Sequence, residues 1–281
     1  MGIYQKALIP FDGSESSKNA LKQACLMEGI KALHILSVFP VYEGDLELIG
    51  IDKIKQTIEG PVKELIEQAA SIAQNYGVDA LTEVRYGEPY KEIVSYAEEL
   101  NCDIIIMGRK GISQVERQLI GSVTARVVGH SKKDVLVIPQ KAELEFKKIL
   151  VAMDESEFSQ RALARAIELS KEYGSALEMV YVVFTYGKFF ALAPEATNEI
   201  KAKAKEFVKS IEEVATNQGV KLVTNIVEGE AHIGIIKTAE QKDADLIVMG
   251  SHGRSGISKL ILGSVTEKVM GMVSCPVLAV H

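Results

Sequence analysis

Tryptophan is absent from this sequence, and cysteine, proline and aromatic side chains are scarce: three Cys, seven Pro and 6% aromatic residues in 281. The cysteines, Cys25, Cys102 and Cys275, form no C-x-x-C pair, and an odd count argues against a disulfide framework. Buried, reduced thiols are expected instead. No apolar run approaches the ~20 residues that span a bilayer, so no membrane partner is expected. The opening MGIYQKALIP lacks the apolar core and cleavage site of a secretory signal, and a cytoplasmic protein is expected. A basic excess is missing as well. The formal charge is −6, and a nucleic-acid partner, which requires a positive surface, is not expected. The short pairs Lys132–Lys133 and Lys147–Lys148 read as solvated loop charges.

What is present is enough apolar material for real cores. Hydrophobic residues make up 47% and charged residues 25% of the chain, whose length suits two ordinary domains. The second domain is a copy of the first. Asp12 falls on Asp154, 142 residues on, and the same shift carries Ala20–Leu21 onto Ala162–Leu163 and Gly87–Glu88 onto Gly229–Glu230. It also carries Gly121–Ser122–Val123–Thr124 onto Gly263–Ser264–Val265–Thr266. So long a period marks a duplicated domain, since stacked solenoid repeats run to ~20–50 residues. The boundaries are set at 1–140 and 146–281, with a polar junction around Gln140–Phe146.

Within each copy apolar runs alternate with segments of helical periodicity. Strands are expected at Ala7–Phe11, Leu33–Phe39, Ala80–Arg85, Asp103–Met107 and Val135–Pro139, and in the second copy at Ile149–Met153, Leu177–Val183, Lys221–Val227, Leu246–Met249 and Val277–Val280. Helices are expected near Glu15–Glu28, Pro61–Tyr76, Pro89–Asn101 and Ser122–Gly129, then Glu157–Tyr173, Glu195–Gln218, Ile233–Lys242 and Ser264–Met272. Runs such as DIIIM and VLVIP are apolar throughout, as in strands covered on both faces. Each copy is therefore expected to be a doubly wound α/β domain with a parallel sheet clothed by helices. The segments Pro40–Gly60 and Phe184–Pro194 are the least regular, and read equally as flaps or long loops.

The glycines locate the chemistry. Gly108, Gly111 and Gly121 follow the fourth strand with the spacing G-x2-G-x9-G-S, and Gly250, Gly253 and Gly263 repeat it. Ligands of open parallel sheets bind beyond the carboxyl ends of the strands, where strand order reverses. Glycine permits positive φ and close backbone approach there. Gly-Ser-Val-Thr then opens a helix, whose free N–H groups suit phosphate. The hydroxyls of Ser122, Thr124, Ser264 and Thr266 are candidate donors to that phosphate; a single serine before a helix would read as a plain N-cap, and the recurrence of the full spacing favours the phosphate. Asp12 and Asp154 end the first strand of each copy, placed either to accept from ribose or a base amino group or to cap the next helix. The order differs from a P-loop, because no lysine follows Gly121 or Gly263, and from a dinucleotide fingerprint, whose glycines follow the first strand.

Taken together, these residues resemble the nucleotide-binding branch of the universal stress protein family in a tandem two-domain form, over essentially the whole chain. The resemblance implies a five-stranded parallel sheet of order 3-2-1-4-5 in each domain, with ATP or AMP bound, with or without Mg2+. It implies that Asp12 contacts ribose or adenine beside Pro10, and that Val38 meets adenine. Met107, Gly108 and Gly111 would line ribose and the first phosphate, with Gly121, Ser122, Val123 and Thr124 at the outer phosphates. The matching second set is Ala152, Asp154, Val182, Met249, Gly250, Gly253, Gly263, Ser264, Val265 and Thr266. The family also dimerises through its last strand, which implies an internal pseudo-dimer here and leaves room for a further homodimer.

The copies differ where Arg109–Lys110 stands against Ser251–His252. Two cations there either tighten phosphate binding or point to solvent. His252, a lone loop histidine, is expected to be solvated rather than catalytic. Hydrolysis would need a base and carboxylates holding a metal. Only one strand-end aspartate accompanies each cradle, so a regulatory binding module is expected ahead of a slow ATPase or nucleotidyl-transfer enzyme.

Overall fold

The structure, a computed structural model, describes residues 2–40, 51–111, 120–184, 194–253 and 262–281. The chain forms two compact units, Met1–Val127 with Val135–Lys141, and Val128–Asp134 with Ala142–His281. The first repeat runs β1 (Lys6–Pro10), α1 (Glu15–Leu26), β2 (Ala32–Phe39), α2 (Ile51–Asn75), β3 (Ala80–Tyr86), α3 (Pro89–Glu99), β4 (Ile104–Gly108), α4 (Ser122–His130), β5 (Asp134–Ile138). The second runs β6 (Lys148–Met153), α5 (Glu157–Tyr173), β7 (Ala176–Val183), α6 (Pro194–Asn217), β8 (Leu222–Glu228), α7 (Ala231–Gln241), β9 (Leu246–Gly250), α8 (Ser264–Met272), β10 (Val277–Val280).

Strand order is β3-β2-β1-β4-β5 in the first repeat and β8-β7-β6-β9-β10 in the second. β1 pairs in parallel with β2 and β4, and β6 likewise with β7 and β9. Order therefore reverses beside β1 and β6, which fixes the crevice beyond their carboxyl ends as the natural ligand position. The central strands earn that place by composition. β4 and β9, IIIMG and LIVMG, are buried at every residue, which requires cover on both faces. The outer strands β3 and β8 mix half-buried and exposed residues, with Leu81, Tyr86 and Val223 open to solvent.

The same local devices recur 142 residues apart. Asp103 Oδ2 accepts from the backbone N–H groups of Gln5 and Lys6, both at 2.8 Å, and Asp245 Oδ2 accepts from Lys147 and Lys148 at 2.9 Å. Each aspartate thereby ties the entry of the fourth strand to that of the first. Ser14 and Ser156 cap α1 and α5, their Oγ atoms accepting from the N–H groups of Ser17 and Ser159 at 3.1 Å.

One boundary differs substantially from the sequence reading. α2 begins at Ile51, so Pro61 lies inside the helix rather than at its start. Proline is favoured in a first turn, which is why it reads as a start; inside a helix it loses one backbone bond and its ring crowds the carbonyl four residues back, about 3 kcal/mol that the rest of this long helix must offset. Ile51, Ile54, Ile58, Val62 and Leu65 continue the helical spacing straight through it. Residues 51–60 are thus helical, and the remainder of both irregular segments, 41–50 and 185–193, lies outside the described residues. Of the cysteines, Cys102 is buried while Cys25 and Cys275 are half-buried, and all three are free. No helix among the described residues is long and apolar enough to cross a membrane.

Candidate functional site

Each repeat carries one cavity at the reversal point, of about 380 Å³ in the first and 550 Å³ in the second. All ten candidate residues of the first repeat line the first cavity. Pro10 and Asp12 come from the β1 end, Val38 from β2, Met107, Gly108 and Gly111 from β4 and beyond, and Gly121, Ser122, Val123 and Thr124 from the start of α4. The second cavity gathers its own ten: Ala152 and Asp154, Val182, Met249, Gly250 and Gly253, then Gly263, Ser264, Val265 and Thr266. Residues far apart in sequence are brought to one place by the strand ends and the helix start that follows the fourth strand.

The aspartates are held, but not as helix caps. Asp12 Oδ1 accepts from the Ser14 N–H at 3.0 Å, and Asp154 Oδ1 accepts from the Ser156 N–H at 3.1 Å and the Ser156 hydroxyl at 2.5 Å. These are Asx turns that place the true cap, Ser14 or Ser156, two residues on. The second carboxylate oxygen faces the glycine loop. A Cβ added to Gly111 would stand 2.4 Å from Asp12 Oδ2, and one on Gly253 would stand 2.8 Å from Asp154 Oδ2.

That observation revises why the glycines are needed. None of Gly108, Gly111, Gly121, Gly250, Gly253 and Gly263 adopts a positive φ. What each lacks is room for a side chain. A Cβ on Gly108 would lie 2.6 Å from the Ser16 carbonyl carbon, and one on Gly250 would lie 2.7 Å from Phe158 Cβ, so both let the first helix pack close on the fourth strand. Gly121 and Gly263 close the loop: their N–H groups donate to Arg109 O at 2.9 Å and Ser251 O at 3.0 Å. Positive φ appears nearby instead, at Gly13 (78°) and, in the second repeat, at Glu155 (68°). Glu155 Oε1 accepts from the Tyr181 hydroxyl, and Tyr181 lines the second cavity.

The helix starts are open towards the cavities. Gly263 is the N-cap of α8 and offers no side-chain acceptor, so the first-turn N–H groups have no side-chain cap. Ser264 and Ser122 are exposed first-turn residues rather than caps. The threonines behave differently. Thr124 Oγ1 donates to Gly108 O at 3.1 Å and Thr266 Oγ1 donates to Gly250 O at 2.9 Å, both buried. Their hydroxyl protons pin the helix start to the strand end and are not spare for a ligand.

The cavities differ at the loop. Lys110 lines the first, whereas Arg109 is half-buried, is not among the lining residues, and is pushed below its ordinary pKa by that burial. In the second repeat Ser251 is fully buried and His252 is 7% exposed, which overturns the expectation of a solvated histidine. His252 lines the cavity, and its ring packs 5.0 Å from that of Phe158.

Sequence reasoning missed the far wall. Pro89 and Ile93 of α3 line the first cavity, and Ala231 and Ile235 of α7 line the second, again 142 residues on. The repeated Gly-Glu pair just before each helix was the available signal, because Gly87 and Gly229 adopt φ of 155° and 134° to turn the chain into it. Among the described residues, no group of three or more His, Cys, Asp or Glu could hold a metal ion. Asp12 and Asp154 are the only carboxylates among the described lining residues of their cavities.

The model of the Universal stress protein family matches the chain twice, at residues 3–139 and 145–281. A universal stress protein of Methanocaldococcus jannaschii is 36% identical over 148 residues, covering 51% of this chain and 86% of that protein. One from Bacillus subtilis is 35% identical over 147 residues, covering 48% and 99% respectively. Among solved structures, a universal stress protein from Archaeoglobus fulgidus is similar over 98% of this chain and 97% of its own, with TM-score 0.76 and 26% identity.

Proposed function

From the premise that the chain belongs to the universal stress protein family, matched across both repeats, we propose that it is a cytoplasmic regulatory module binding one adenine nucleotide, ATP or AMP, in each repeat. One observation carries the reading: in each repeat all ten candidate residues line a single cavity between a strand-end carboxylate and an uncapped helix start. Volumes of 380 and 550 Å³ suit a ligand of nucleotide size, since small-molecule sites run to about 300–1,000 Å³.

The chemistry at each end matches a nucleotide. Asp12 and Asp154 accept from ribose hydroxyls or the base amino group. Val38 and Val182, with Ile93 and Ile235 opposite, offer apolar cover for adenine. The first turns of α4 and α8 present N–H groups to phosphates. Any Mg2+ would be held chiefly by the phosphates themselves, with Asp12 or Asp154 as the carboxylate among the described lining residues of each cavity. Hydrolysis asks for a base and more than one metal-holding carboxylate, so binding is the reading we put forward over a slow ATPase. The pairing of the two last strands as an internal pseudo-dimer belongs to the same proposal, and a cross-link between cysteines introduced in those strands would test it.

Calorimetric titration of the full chain with ATP and with AMP tests the site. Two nucleotides per chain are expected, and one in the Gly263→Val variant. Its Cβ would stand 3.1 Å from Ser251 O and 3.3 Å from the Cα of His252, a residue that lines the cavity. No heat from either nucleotide in the unmodified protein would overturn the reading.

A further inference from the structure

Beside the second cavity one hydroxyl lies between two imidazoles. Ser251 Oγ is 2.9 Å from His252 Nδ1 and 3.1 Å from His281 Nδ1, and Ser251 is fully buried. The first repeat has Arg109, Lys110 and Pro139 at the corresponding positions, so the cluster belongs to the second repeat alone. A hydroxyl carries one proton and two acceptor lone pairs, so Oγ can donate to the Nδ1 of one ring while accepting the Nδ1–H of the other. If both rings were charged, two Nδ1–H donors would face one oxygen and the hydroxyl proton would lose its acceptor. The cluster is therefore built for one added proton.

Which ring takes that proton follows from position. His281 is pushed down to about 4 by burial, by His252 and by the charge of Arg161. His252 lines the cavity, and its Cα lies 3.3 Å from where a Gly263 Cβ would stand, at the opening of α8. Among the described residues, Asp154 shares the cavity lining, and Arg161 lies over the Phe158 ring against which His252 packs; Glu155, engaged by Tyr181, and Glu267, in the first turn of α8, sit on the flanking elements. Arg254 and Lys259 lie outside the described residues. Burial disfavours the charged form of the His252 ring, and a phosphate at the helix start favours it.

We infer that nucleotide binding in the second cavity, and not in the first, is coupled to proton uptake by His252, whose Nδ1–H is held by Ser251 and through it by His281. This rests on the nucleotide reading above and adds its regulation: the second site tightens as pH falls, while Lys110 gives the first a fixed charge. His252 acts here as a positioning and proton-binding residue, with no bond made or broken in the ligand.

The test is calorimetric titration of the full chain with ATP at pH 7 in buffers of different ionisation enthalpy, comparing the unmodified protein with H252Q. The ligand's own ionisation is common to both. The unmodified protein is expected to take up about 0.2–0.5 proton more per chain than H252Q, the quantity that sets the pH slope of affinity. Equal proton counts overturn the inference. Proton NMR of the unmodified protein needs no variant: ATP saturation should raise the titration midpoint of one imidazole by about one pH unit. An unmoved set of imidazole midpoints overturns the inference equally. A protein that binds neither ATP nor AMP overturns the nucleotide reading itself, and this coupling with it.

Discussion

Replacing Gly108 and Gly111 separately by alanine distinguishes packing from ligand approach as the reason for glycine at the strand end. The new Cβ at position 108 would stand 2.6 Å from the Ser16 carbonyl carbon and 2.7 Å from its oxygen, both backbone atoms in the first turn of α1. Backbone inside a helix cannot rotate away, so helix and strand must separate. Overpacking of this kind costs about 3 kcal/mol at the upper end of its usual range. Alanine returns about 0.4–1 kcal/mol by restricting the unfolded chain, leaving a net loss of roughly 2 kcal/mol. At position 111 the obstacle is Asp12 Oδ2 at 2.4 Å, the end of a side chain that can turn aside. Turning it breaks the bond to the Ser14 N–H at 3.0 Å, a loss of about 1 kcal/mol that alanine's entropy largely offsets. Urea denaturation of the full chain, followed by circular dichroism, should therefore show a clear destabilisation for Gly108→Ala and almost none for Gly111→Ala. Nucleotide binding should weaken in Gly111→Ala, because the carboxylate has moved. Equal stabilities for the two variants would refute the reasoning, and would return both glycines to the role of making room for ligand.

Thr266→Val removes the hydroxyl that donates to Gly250 O at 2.9 Å. The loss of that buried bond should cost about 1–3 kcal/mol by urea melt, whereas exposed Ser264→Ala should leave stability within about 0.5 kcal/mol. A pH prediction follows from His281, whose pKa is lowered from 6.5 to about 4. Because the unfolded state binds this proton more readily, the contribution is complete above about pH 6.5 and is lost as pH falls from there towards 4. The slope in that window is about 1.4 kcal/mol per pH unit, and the total is about 3 kcal/mol. Thermal melts of the unmodified protein and H281Q across pH 4–7 should differ in slope, and parallel curves would remove His281 from the account.

Much of the fold was legible because the chain presents it twice. The all-apolar runs of β4 and β9 announced central strands, and the recurrence of Asp12 as Asp154 placed the lip of each crevice. What could not be read was the use to which local chemistry is put. Glycine is ambiguous between a backbone that must take positive φ and one that must be approached closely, and only coordinates separate them. Gly108 and Gly250 turned out to need the second. Proline is ambiguous in the same way, between a helix start and a tolerated interior residue, and Pro61 is the latter. Threonine after Gly-Ser-Val looked like a ligand donor until Thr124 and Thr266 were found to be donating to the strand they follow.

Differences between the copies are where duplication stops helping and begins to inform. Gly13 sits at φ 78° at no steric cost, but its counterpart Glu155 holds φ 68° with a side chain attached, a conformation unfavourable by roughly 1–2 kcal/mol for a residue other than glycine. The second repeat keeps that strain, and its carboxylate accepts from Tyr181, a residue lining the cavity. The same repeat substitutes Ser251, His252 and His281 for Arg109, Lys110 and Pro139, and its cavity is larger, 550 against 380 Å³. Three independent departures converge on one cavity while the shared frame, the Asx turn and the threonine pin are retained. A frame kept constant under local change is what two sites with one ligand class and different control would require, and it locates that control at the loop after the fourth strand rather than in the sheet.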